Sequence, residues 1–484
     1  MAEYLSTEGT WRGRFWLPGD PSQDQSGILT YSPHMGGLRL TLIGGFDDAV
    51  WLPTGSGSTK ALSQRTTQWP VIHGIVGREP VTLLDCLATR SKSSISDREV
   101  SEQEIRVSEA LIGVLLKAPD ANVFSGVTIE LENLTAWDNR SEVVLEIERR
   151  EDIPRNARWR IAVDPVDQRT ANFGDLTIEL GRWYRMPSHD VRRSRLEAST
   201  FAVSQFTLRS SAPKSADEWV RKAHICQDLI TLAMDAPCAV LKQTLRPSDE
   251  LRADQESAAR REIAVYANHV VKGDPDAPGV QVSEALFTLG TDGVEFETVV
   301  RCWLTVREQF SATCDMIVSL VNGQGTYLET QLITAVAAAE AMHEAMGFNP
   351  PIPRSEFDAL KKELRKQVPA NRQQWLSEKL GRNKHTLRQR LLDLAAVPDD
   401  DLMTQLLPNP QGWAEAAKRS RDLIAHGGEA STDVDLMYAI TEVTTAVVLV
   451  NLLHQLDIPK DQTRYSLTTR GRLERAARLA RRHW

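Results

Sequence analysis

Residues 410–456 read PQGWAEAAKRSRDLIAHGGEASTDVDLMYAITEVTTAVVLVNLLHQL, and this stretch predicts two consecutive long helices. Asn409 stands before a proline, which is the order typical of an N-cap followed by a first helical residue that needs no partner for an N–H. The first helix is expected to run to His426, where two glycines follow and end it. The C-terminal part of the chain is therefore predicted to be helical.

The second helix of this stretch is the most apolar segment of the chain. Thr432 and Asp435 form a capping-box pattern at its start, and apolar residues continue to about Leu456. Its longest apolar run, residues 446–453, is interrupted by Asn451, whereas a membrane span needs roughly 20 apolar residues. We therefore expect a buried bundle helix and no membrane span.

More helices are predicted between residues 327 and 409. Residues 328–346 carry apolar side chains at helical spacing and stop before Gly347. Ser355 and Asp358 match an S-x-x-D capping pattern for the next helix. Three further helices are expected at residues 371–380, 384–396 and 399–407.

Residues 1–205 are predicted to be rich in β-strands. Short segments alternate apolar and polar residues, are rich in β-branched side chains and are separated by Gly, Pro, Asn and Asp. Five of these strands are expected at residues 27–31, 38–43, 127–131, 143–147 and 176–180.

Residues 206–320 are predicted to mix helix and strand and to belong with the N-terminal half. Residues 218–241 have apolar side chains at helical spacing, with a break expected at Pro237. Two β-like stretches follow at residues 285–289 and 294–298.

Tryptophan is concentrated in the β-rich region. Such residues usually fill a core between sheets, and they can also form a flat platform that binds a sugar or a base. Both interpretations stay open for the seven tryptophans concerned, which are Trp11, Trp16, Trp51, Trp69, Trp137, Trp159 and Trp183.

The composition is that of a soluble, core-forming chain. Of the 484 residues, 41% are hydrophobic and 25% are charged, which excludes disorder along the whole length. The first residues lack the layout of a signal peptide, and the 5 cysteines form no C-x-x-C pair. His343 and Glu344 lack the second histidine of a zinc-binding helix. We therefore expect a cytoplasmic protein without a cofactor.

The net charge of −8 conceals two basic segments near the C-terminus. Residues 361–390 carry ten basic and two acidic residues, and residues 461–484 carry seven arginines. The first segment is expected either to guide a nucleic acid backbone or to be a solvated helix face. The second is expected to be a nucleic-acid arm or to dock onto the acidic first half. The residues concerned in the first segment are Lys379, Arg382, Lys384, Arg388 and Arg390, with His385 or Trp375 available for stacking.

Arg421, Asp422 and His426 form the one motif that predicts chemistry. An R-x4-H spacing arises about once by chance in such a chain, and a second copy, Arg478 with His483, lies in the basic tail. Asp422 and His426 are i and i+4 on one helical face, and Arg421 has the reach to join them. A carboxylate can set the tautomer of an imidazole, and a guanidinium can hold a phosphate. The alternative is a surface Arg–Asp pair beside a capping histidine.

This arrangement of motif and helices resembles the HEPN superfamily. The segments FWLPGD at 15–20, GILTYSP at 27–33, GGLRLTLIGGF at 36–46 and DLITLAMDAPCAV at 228–240 are similar, in that order, to the N-terminal domain of ApeA-type proteins. In those proteins the domain precedes an Apea-like HEPN domain. Two separate regions of the chain thus resemble the two domains of ApeA-type proteins, and they occur in the same order.

The resemblance implies a bacterial antiphage protein that cleaves RNA as a homodimer, without a metal, by attack of the 2′-hydroxyl. It implies that Arg421 stabilises the phosphate and that His426 is the acid and base. Asp422 stands where asparagine is commoner, and its charge repels phosphate unless it pairs with a neighbour. The resemblance also implies abortive infection, a phage-derived trigger and transfer RNA as a target.

The sequence thus predicts an α+β chain, with a β-rich N-terminal half followed by an all-α HEPN helical bundle. The expected divisions are residues 1–320, 321–460 and a basic tail at 461–484. The expected function is a metal-independent RNA endonuclease that is regulated by the N-terminal half. One alternative is a HEPN fold that serves only for dimerisation or RNA binding. Another is a Trp-rich half that binds a carbohydrate or a nucleotide.

Overall fold

The chain forms two compact units, residues 1–230 with 238–279 and residues 231–237 with 280–484. Strands dominate the first unit and helices the second, so the α+β prediction is confirmed. The computed structural model describes residues 4–33, 37–46, 49–54, 57–62, 67–92, 102–140, 143–149, 157–191, 196–254, 262–267, 278–290, 294–323, 326–425, 433–469 and 471–484.

The strands lie between residues 9 and 267, and three helices interrupt them. The strands are β1 (Gly9–Trp16), β2 (Gln25–Ser32), β3 (Gly37–Ile43), β4 (Ala49–Thr54), β5 (Gly57–Leu62), β6 (Gln68–Val76), β7 (Glu79–Lys92), β8 (Glu102–Val107), β9 (Glu109–Ile112), β10 (Phe124–Leu131), β11 (Val143–Arg149), β12 (Ala157–Val163), β13 (Arg169–Phe173), β14 (Leu176–Val191), β15 (Leu196–Lys214), β16 (Val240–Pro247) and β17 (Ile263–Ala267). The helices are α1 (Leu134–Asp138), α2 (Ala216–Met234) and α3 (Asp249–Asp254).

Six of the strands close into an antiparallel barrel. β1 pairs with β2 and β6, β2 with β3, and β3 with β8. The long β7 closes the ring, because it pairs with β6 along one edge and with β8 along part of the other. The remaining part of that edge pairs with β9, which continues into an antiparallel sheet in the order β9-β17-β16-β10-β15-β14-β13.

Alternation along the barrel strands explains the core of this unit. In β2, β3 and β8 every second side chain is buried, as period 2 of a strand requires. Leu29, Leu40 and Ile105 lie at such positions and are fully buried. Barrel closure also leaves these strands without the unpaired edge that promotes aggregation.

The second unit begins its C-terminal part with a short 3₁₀ turn, η1, and is helical from residue 296 onward, where a second 3₁₀ turn, η2, occurs. Its elements are η1 (Val282–Glu284), α4 (Phe296–Gln309), α5 (Ser311–Asn322), α6 (Leu328–Met346), α7 (Arg354–Gln367), η2 (Ala370–Arg372), α8 (Gln373–Lys379), α9 (Leu387–Ala395), α10 (Asp400–Leu406), α11 (Pro410–Ala425), α12 (Val434–Gln455), α13 (Lys460–Ser466) and α14 (Arg472–His483).

Helix α12 forms the core of the helical unit. Every residue from Ala439 to Leu453 is buried, and the helix packs against α4, α6, α9, α11 and α14. Asn451 is fully buried and donates to the backbone carbonyls of Leu394 (3.1 Å) and Val447 (2.8 Å). Among the described residues, α12 alone is long and apolar enough to cross a membrane, and 89% of its most apolar window is buried inside the protein.

Two predicted β-like stretches are wrong. No strand forms at residues 285–289, where buried apolar side chains pack into the helical unit and Leu286 donates its N–H to the Ala233 carbonyl at 2.8 Å. Residues 294–298 lead into α4, whose buried Phe296, Val299 and Val300 follow helical spacing. A window of five residues was too short to distinguish period 2 from period 3.6.

The helix ends confirm some predictions and correct others. Gly347 ends α6 in the left-handed region, at φ 69°. Ser355 does not cap α7, because that helix already begins at Arg354 after a proline. The predicted helix at 218–241 is too long, since α2 ends at Met234 and a strand follows the proline at position 237.

The caps of α11 and α12 differ in their agreement with the sequence. Asn409 caps α11 as predicted, because its Oδ1 accepts from the Gly412 N–H at 3.0 Å. The cap of α12 is Asp433, which accepts from the Leu436 N–H at 2.9 Å. Thr432, the predicted cap, lies outside the described residues.

Replacing Asn409 by alanine removes the side-chain acceptor for the Gly412 N–H. We expect the start of α11 to lose about 1 kcal/mol of stability, which corresponds to roughly fivefold faster exchange of that amide hydrogen. The matched control is Asn371→Ala, since Asn371 is exposed in η2. Unchanged exchange at Gly412 in the first variant would contradict the cap.

Candidate functional site

Arg421 and Asp422 lie near the C-terminal end of α11. The inner face of this helix is formed by Trp413, Ala417 and Ser420, which are buried at helical spacing. Trp413 donates from Nε1 to the Thr444 hydroxyl of α12 at 3.2 Å and so fixes the rotation of α11. Arg421 and Asp422 therefore lie at the border of the packed face and are half-buried.

The guanidinium of Arg421 contacts two carboxylates. Its Nη1 lies 3.0 Å from Oδ1 of Asp422, and its Nη2 lies 3.5 Å from Oε2 of Glu340 on α6. The fork of an arginine suits two acceptors at once. Sequence reasoning missed Glu340, because it lies 81 residues before Arg421 in the chain.

The structure brings together two of the three predicted site residues. His426 lies outside the described residues, so its stacking with Asp422 stays a prediction. Asp422 pairs with Arg421, which reduces the repulsion that a free carboxylate there exerts on a phosphate. With Glu340 included, the described group carries one positive and two negative charges, so an incoming phosphate competes with carboxylates for the guanidinium.

The predicted basic segment is largely used for internal contacts. Lys384 (2.5 Å) and Arg390 (3.4 Å) pair with Glu344. Arg388 pairs with Glu415 at 3.3 Å and also donates to Gln411. These three cations therefore fasten α6, α9 and α11 to one another.

The remaining cations of that segment lie on α7, η2 and α8 and in the loop after α8. Neither α7 nor α8 contains a buried residue. Lys379 and Arg382 are exposed and form no ion pair with any residue that the structure describes, and Trp375 is more than half exposed. This segment is the part of the helical unit best suited to contact a polyanion.

His343, His385 and Asp393 form a second cluster, between α6 and α9. His343 Nε2 lies 2.9 Å and His385 Nδ1 lies 2.6 Å from the same oxygen, Oδ2 of Asp393. Burial lowers the pKa of His343, and the hydrogen bond to Asp393 only partly opposes this. Burial tends to raise the pKa of Asp393, but hydrogen bonds from Gln389 and His343 hold it below its usual range. His385 is thus engaged here and is not available for stacking on a base.

Sequence reasoning missed this cluster because its members come from distant elements. Asp393 follows His343 by 50 residues, and no local spacing relates them. The absence of a second histidine on the helix of His343 therefore said nothing about ligands from elsewhere in the fold.

The arginine-rich C-terminal segment forms helix α14, whose apolar face packs against α12. Arg472 lies 2.8 Å from Asp235 and 3.0 Å from Glu442, and Arg475 lies 3.0 Å from the other oxygen of Glu442. Burial raises the pKa of Asp235, and the charge of Arg472 opposes the rise. Arg472 and Arg475 are thus paired with buried carboxylates within the helical unit, whereas Arg478, Arg481 and Arg482 of the same helix are exposed.

The tryptophans of the first unit differ in burial. Trp137 is fully buried, as expected of a core residue. Trp69 lines a cavity of about 410 Å³ together with Pro70, Cys86 and Arg106. A second cavity, of about 420 Å³, lies over β10, β15 and β16 and is lined by threonines and arginines. The side chains of Trp51 and Trp159 are outside the described residues.

The first unit contains a β-barrel, and the second is a helical unit in which Arg421 pairs with Asp422 and Glu340. The chain matches the family model of ApeA N-terminal domain 1 over residues 10–303 and that of the Apea-like HEPN domain over residues 333–462. It therefore belongs to the family of ApeA-type defence proteins. Neither a curated protein nor a solved structure matches the chain significantly.

Membership in this family indicates a general role. HEPN domains are generally ribonucleases, and the two domains together support a nuclease-like function in antiviral defence.

Arg472→Met leaves Asp235 and Glu442 buried with less positive charge beside them. We expect the helical unit to lose about 3 kcal/mol of unfolding free energy, measured by urea unfolding followed by far-UV circular dichroism. Arg478→Met is the matched control, since Arg478 is exposed and forms only a 3.5 Å pair within its own helix, with an expected loss below about 0.5 kcal/mol. Equal stability of the two variants would show that α14 is not held by these ion pairs.

Proposed function

We propose that the helical unit is an RNA endonuclease in which Arg421 and His426 act on the phosphodiester. The observation that carries this proposal is a half-buried arginine on α11, inside the Apea-like HEPN match, whose guanidinium contacts Asp422 and Glu340. Such a guanidinium presents a planar fork to a phosphate.

The proposed reaction is a transfer within the RNA. The 2′-oxygen attacks the adjacent phosphorus, the bond from phosphorus to the 5′-oxygen breaks, and a 2′,3′-cyclic phosphate forms. A base takes the proton of the 2′-hydroxyl, and an acid gives a proton to the leaving 5′-oxygen. His426 is proposed to serve in these proton transfers, while Arg421 stabilises the charge on the phosphate. The step requires no metal.

The proposed nuclease also has an oligomeric state, an RNA-binding surface and a mode of regulation. We propose a homodimer with both motifs at one cleft, so that two copies of His426 supply the acid and the base. The exposed cations and Trp375 of α7 and α8 are proposed to hold the RNA, with transfer RNA as one candidate target. The first unit is proposed to restrain the nuclease in the cytoplasm until a phage-derived trigger arrives, and cleavage then aborts the infection.

A second function, RNA binding or dimerisation without catalysis, is favoured by one observation. Arg421 is already paired with two carboxylates, and a fully neutralised guanidinium attracts phosphate poorly. The two proposals differ in whether the motif is required for strand cleavage.

Cleavage of total cellular RNA in a magnesium chelator distinguishes these proposals. We expect His426→Ala and Arg421→Ala to lower the cleavage rate at least about 100-fold, because His426 is proposed to move the protons and Arg421 to stabilise the charge on the phosphate during the reaction. The matched control is His483→Ala, at the second R-x4-H spacing, which should cleave like the wild type and leave cyclic-phosphate ends.

Cleavage at the wild-type rate by the Arg421 and His426 variants would contradict the nuclease proposal. If the wild type is inactive alone, the assay is repeated with extract of phage-infected cells. RNA that binds tightly yet stays intact under both conditions would favour the non-catalytic function.

Glu340→Gln removes one of the carboxylates that compete with phosphate for Arg421. We expect RNA to bind between about twofold and fivefold more tightly, because a partly exposed pair of this kind is worth roughly 0.5–1 kcal/mol. Glu415→Gln is the control, since Glu415 pairs with Arg388 and not with the motif. Weaker binding by the Glu340 variant alone would mean that this carboxylate positions the guanidinium instead of competing for it.

A further inference from the structure

We propose that His343, His385 and Asp393 bind one divalent transition-metal ion of the zinc class. This site is separate from the proposed nuclease motif and does not depend on that function. Its donor atoms are Nε2 of His343, Nδ1 of His385 and one carboxylate oxygen of Asp393, and all of them lie within 4.8 Å of one another.

The spacing of the donors is close to that of a metal site. The two nitrogens lie 2.9 Å and 2.6 Å from Oδ2 of Asp393. Ligand atoms around a tetrahedral zinc ion, with metal–nitrogen bonds of about 2.0 Å, lie roughly 3.3 Å apart. The two nitrogen–oxygen distances therefore need to lengthen by roughly half an ångström to reach this spacing, and the two nitrogens already lie within 4.8 Å of each other.

The tautomer of His385 carries the argument. Its Nε2 lies 2.8 Å from the Asn349 carbonyl, which can only accept, so Nε2 bears the hydrogen. In the neutral ring Nδ1 then presents a lone pair, and it is buried and forms no hydrogen bond with any described residue. In that form two acceptors, this nitrogen and a carboxylate oxygen, face each other at 2.6 Å, so either a second proton on the ring or a cation must lie between them. A cation between them removes the repulsion and satisfies both.

Outer contacts hold all three side chains in place. The other nitrogen of His385 donates to a backbone carbonyl, as metal-binding histidines usually do. The second oxygen of Asp393 accepts from Nε2 of Gln389 at 2.8 Å. The ring of His343 stacks on Phe348, with centroids 4.4 Å apart. Such contacts preorganise a ligand set before the ion arrives.

The chemistry of the donors favours zinc, with water as the fourth ligand, and the burial of the donors favours a structural role. Two imidazoles and a carboxylate are suited to Zn²⁺ and to the Co²⁺ that can replace it. The side chains of His343, His385 and Asp393 are only 6%, 16% and 15% exposed, which leaves little access for a substrate. The positive charges of Lys384 and Arg390 oppose a cation here, but both are paired with Glu344.

The position of the site suggests what the ion does. His343 is near the end of α6, and His385 and Asp393 lie at the return of the chain into α9. Helices α7 and α8 lie between these points and have no buried residue of their own. The ion would therefore join the two ends of the segment that contains α7 and α8, which packing alone holds weakly.

Titration of the full-length, chelator-dialysed protein with CoCl₂ tests the proposal, with visible absorption and metal analysis as readouts. We expect one Co²⁺ per chain with the absorption of nitrogen-ligated cobalt, displaced by one equivalent of ZnCl₂. X-ray absorption of the zinc-loaded wild type should show two imidazole ligands. If Co²⁺ does not bind saturably, or if the zinc spectrum shows no imidazole ligand, the proposed site is refuted and the cluster is an ion pair.

Variants assign the ligands. His385→Gln and Asp393→Asn should each lower the Co²⁺ affinity by more than about 100-fold, which is the upper end of the usual effect of an outer contact. Glu344→Gln breaks the ion pairs of the same segment but keeps all three ligands, and His454→Gln removes an exposed histidine, so both controls should bind like the wild type. Each variant is first checked for native circular dichroism. Wild-type affinity in the folded ligand variants would refute the assignment.

Limited proteolysis supplies a second readout. Zinc should slow tryptic cleavage after Lys362 and Lys366 of α7 at least about tenfold in the wild type and in Glu344→Gln, and should have no effect in His385→Gln. Equal cleavage of the wild type with and without zinc would show that an ion there does not hold the segment. None of these measurements involves RNA cleavage, so they are decided independently of the proposed nuclease.

Discussion

Burial of helix α12 is the constraint on which the helical unit depends. A helix whose residues 439–453 are all buried must be covered on every side, and α4, α6, α9, α11 and α14 provide that cover. Most polar groups along it are satisfied locally or by a neighbouring helix, as the bond from Trp413 to Thr444 shows, whereas the buried Oδ1 of Asn451 has no hydrogen-bond partner among the described residues. The apolar sequence of one helix thereby determines where five others lie.

The positions of the functional side chains follow from that packing. Because α6 and α11 both lie against α12, Glu340 comes within reach of Arg421, although the two are far apart in the chain. Because α9 packs against α6 as well, Asp393 reaches His343, which is three residues and thus one helical turn beyond Glu340. Both clusters therefore lie on one face of α6, and a change in the tilt of that helix would disturb them together.

The sequence predicted what local rules control and failed where distant residues meet. Helices α6, α11 and α12 followed from apolar spacing and from caps such as Asn409, since these depend on neighbours within one turn. Closure of the barrel could not be predicted, because it depends on β7 pairing with β6, β8 and β9 at once. For the same reason Arg421 was found, whereas Glu340 was not.

The basic residues of the helical unit show why charge counted along a sequence overstates anion binding. A guanidinium that packs beside a buried carboxylate loses most of its field, so only unpaired and exposed cations attract a phosphate backbone. In this unit the pairing engages six candidate cations, whereas Lys379 and Arg382 of the α7 and α8 segment are exposed and form no ion pair with any described residue. If that segment holds RNA, the contacts that attach its two ends to α6 and α9 affect the position of the RNA relative to Arg421. The His343 cluster would then influence the nuclease without taking part in its chemistry. The paired cations are Lys384, Arg388, Arg390, Arg421, Arg472 and Arg475.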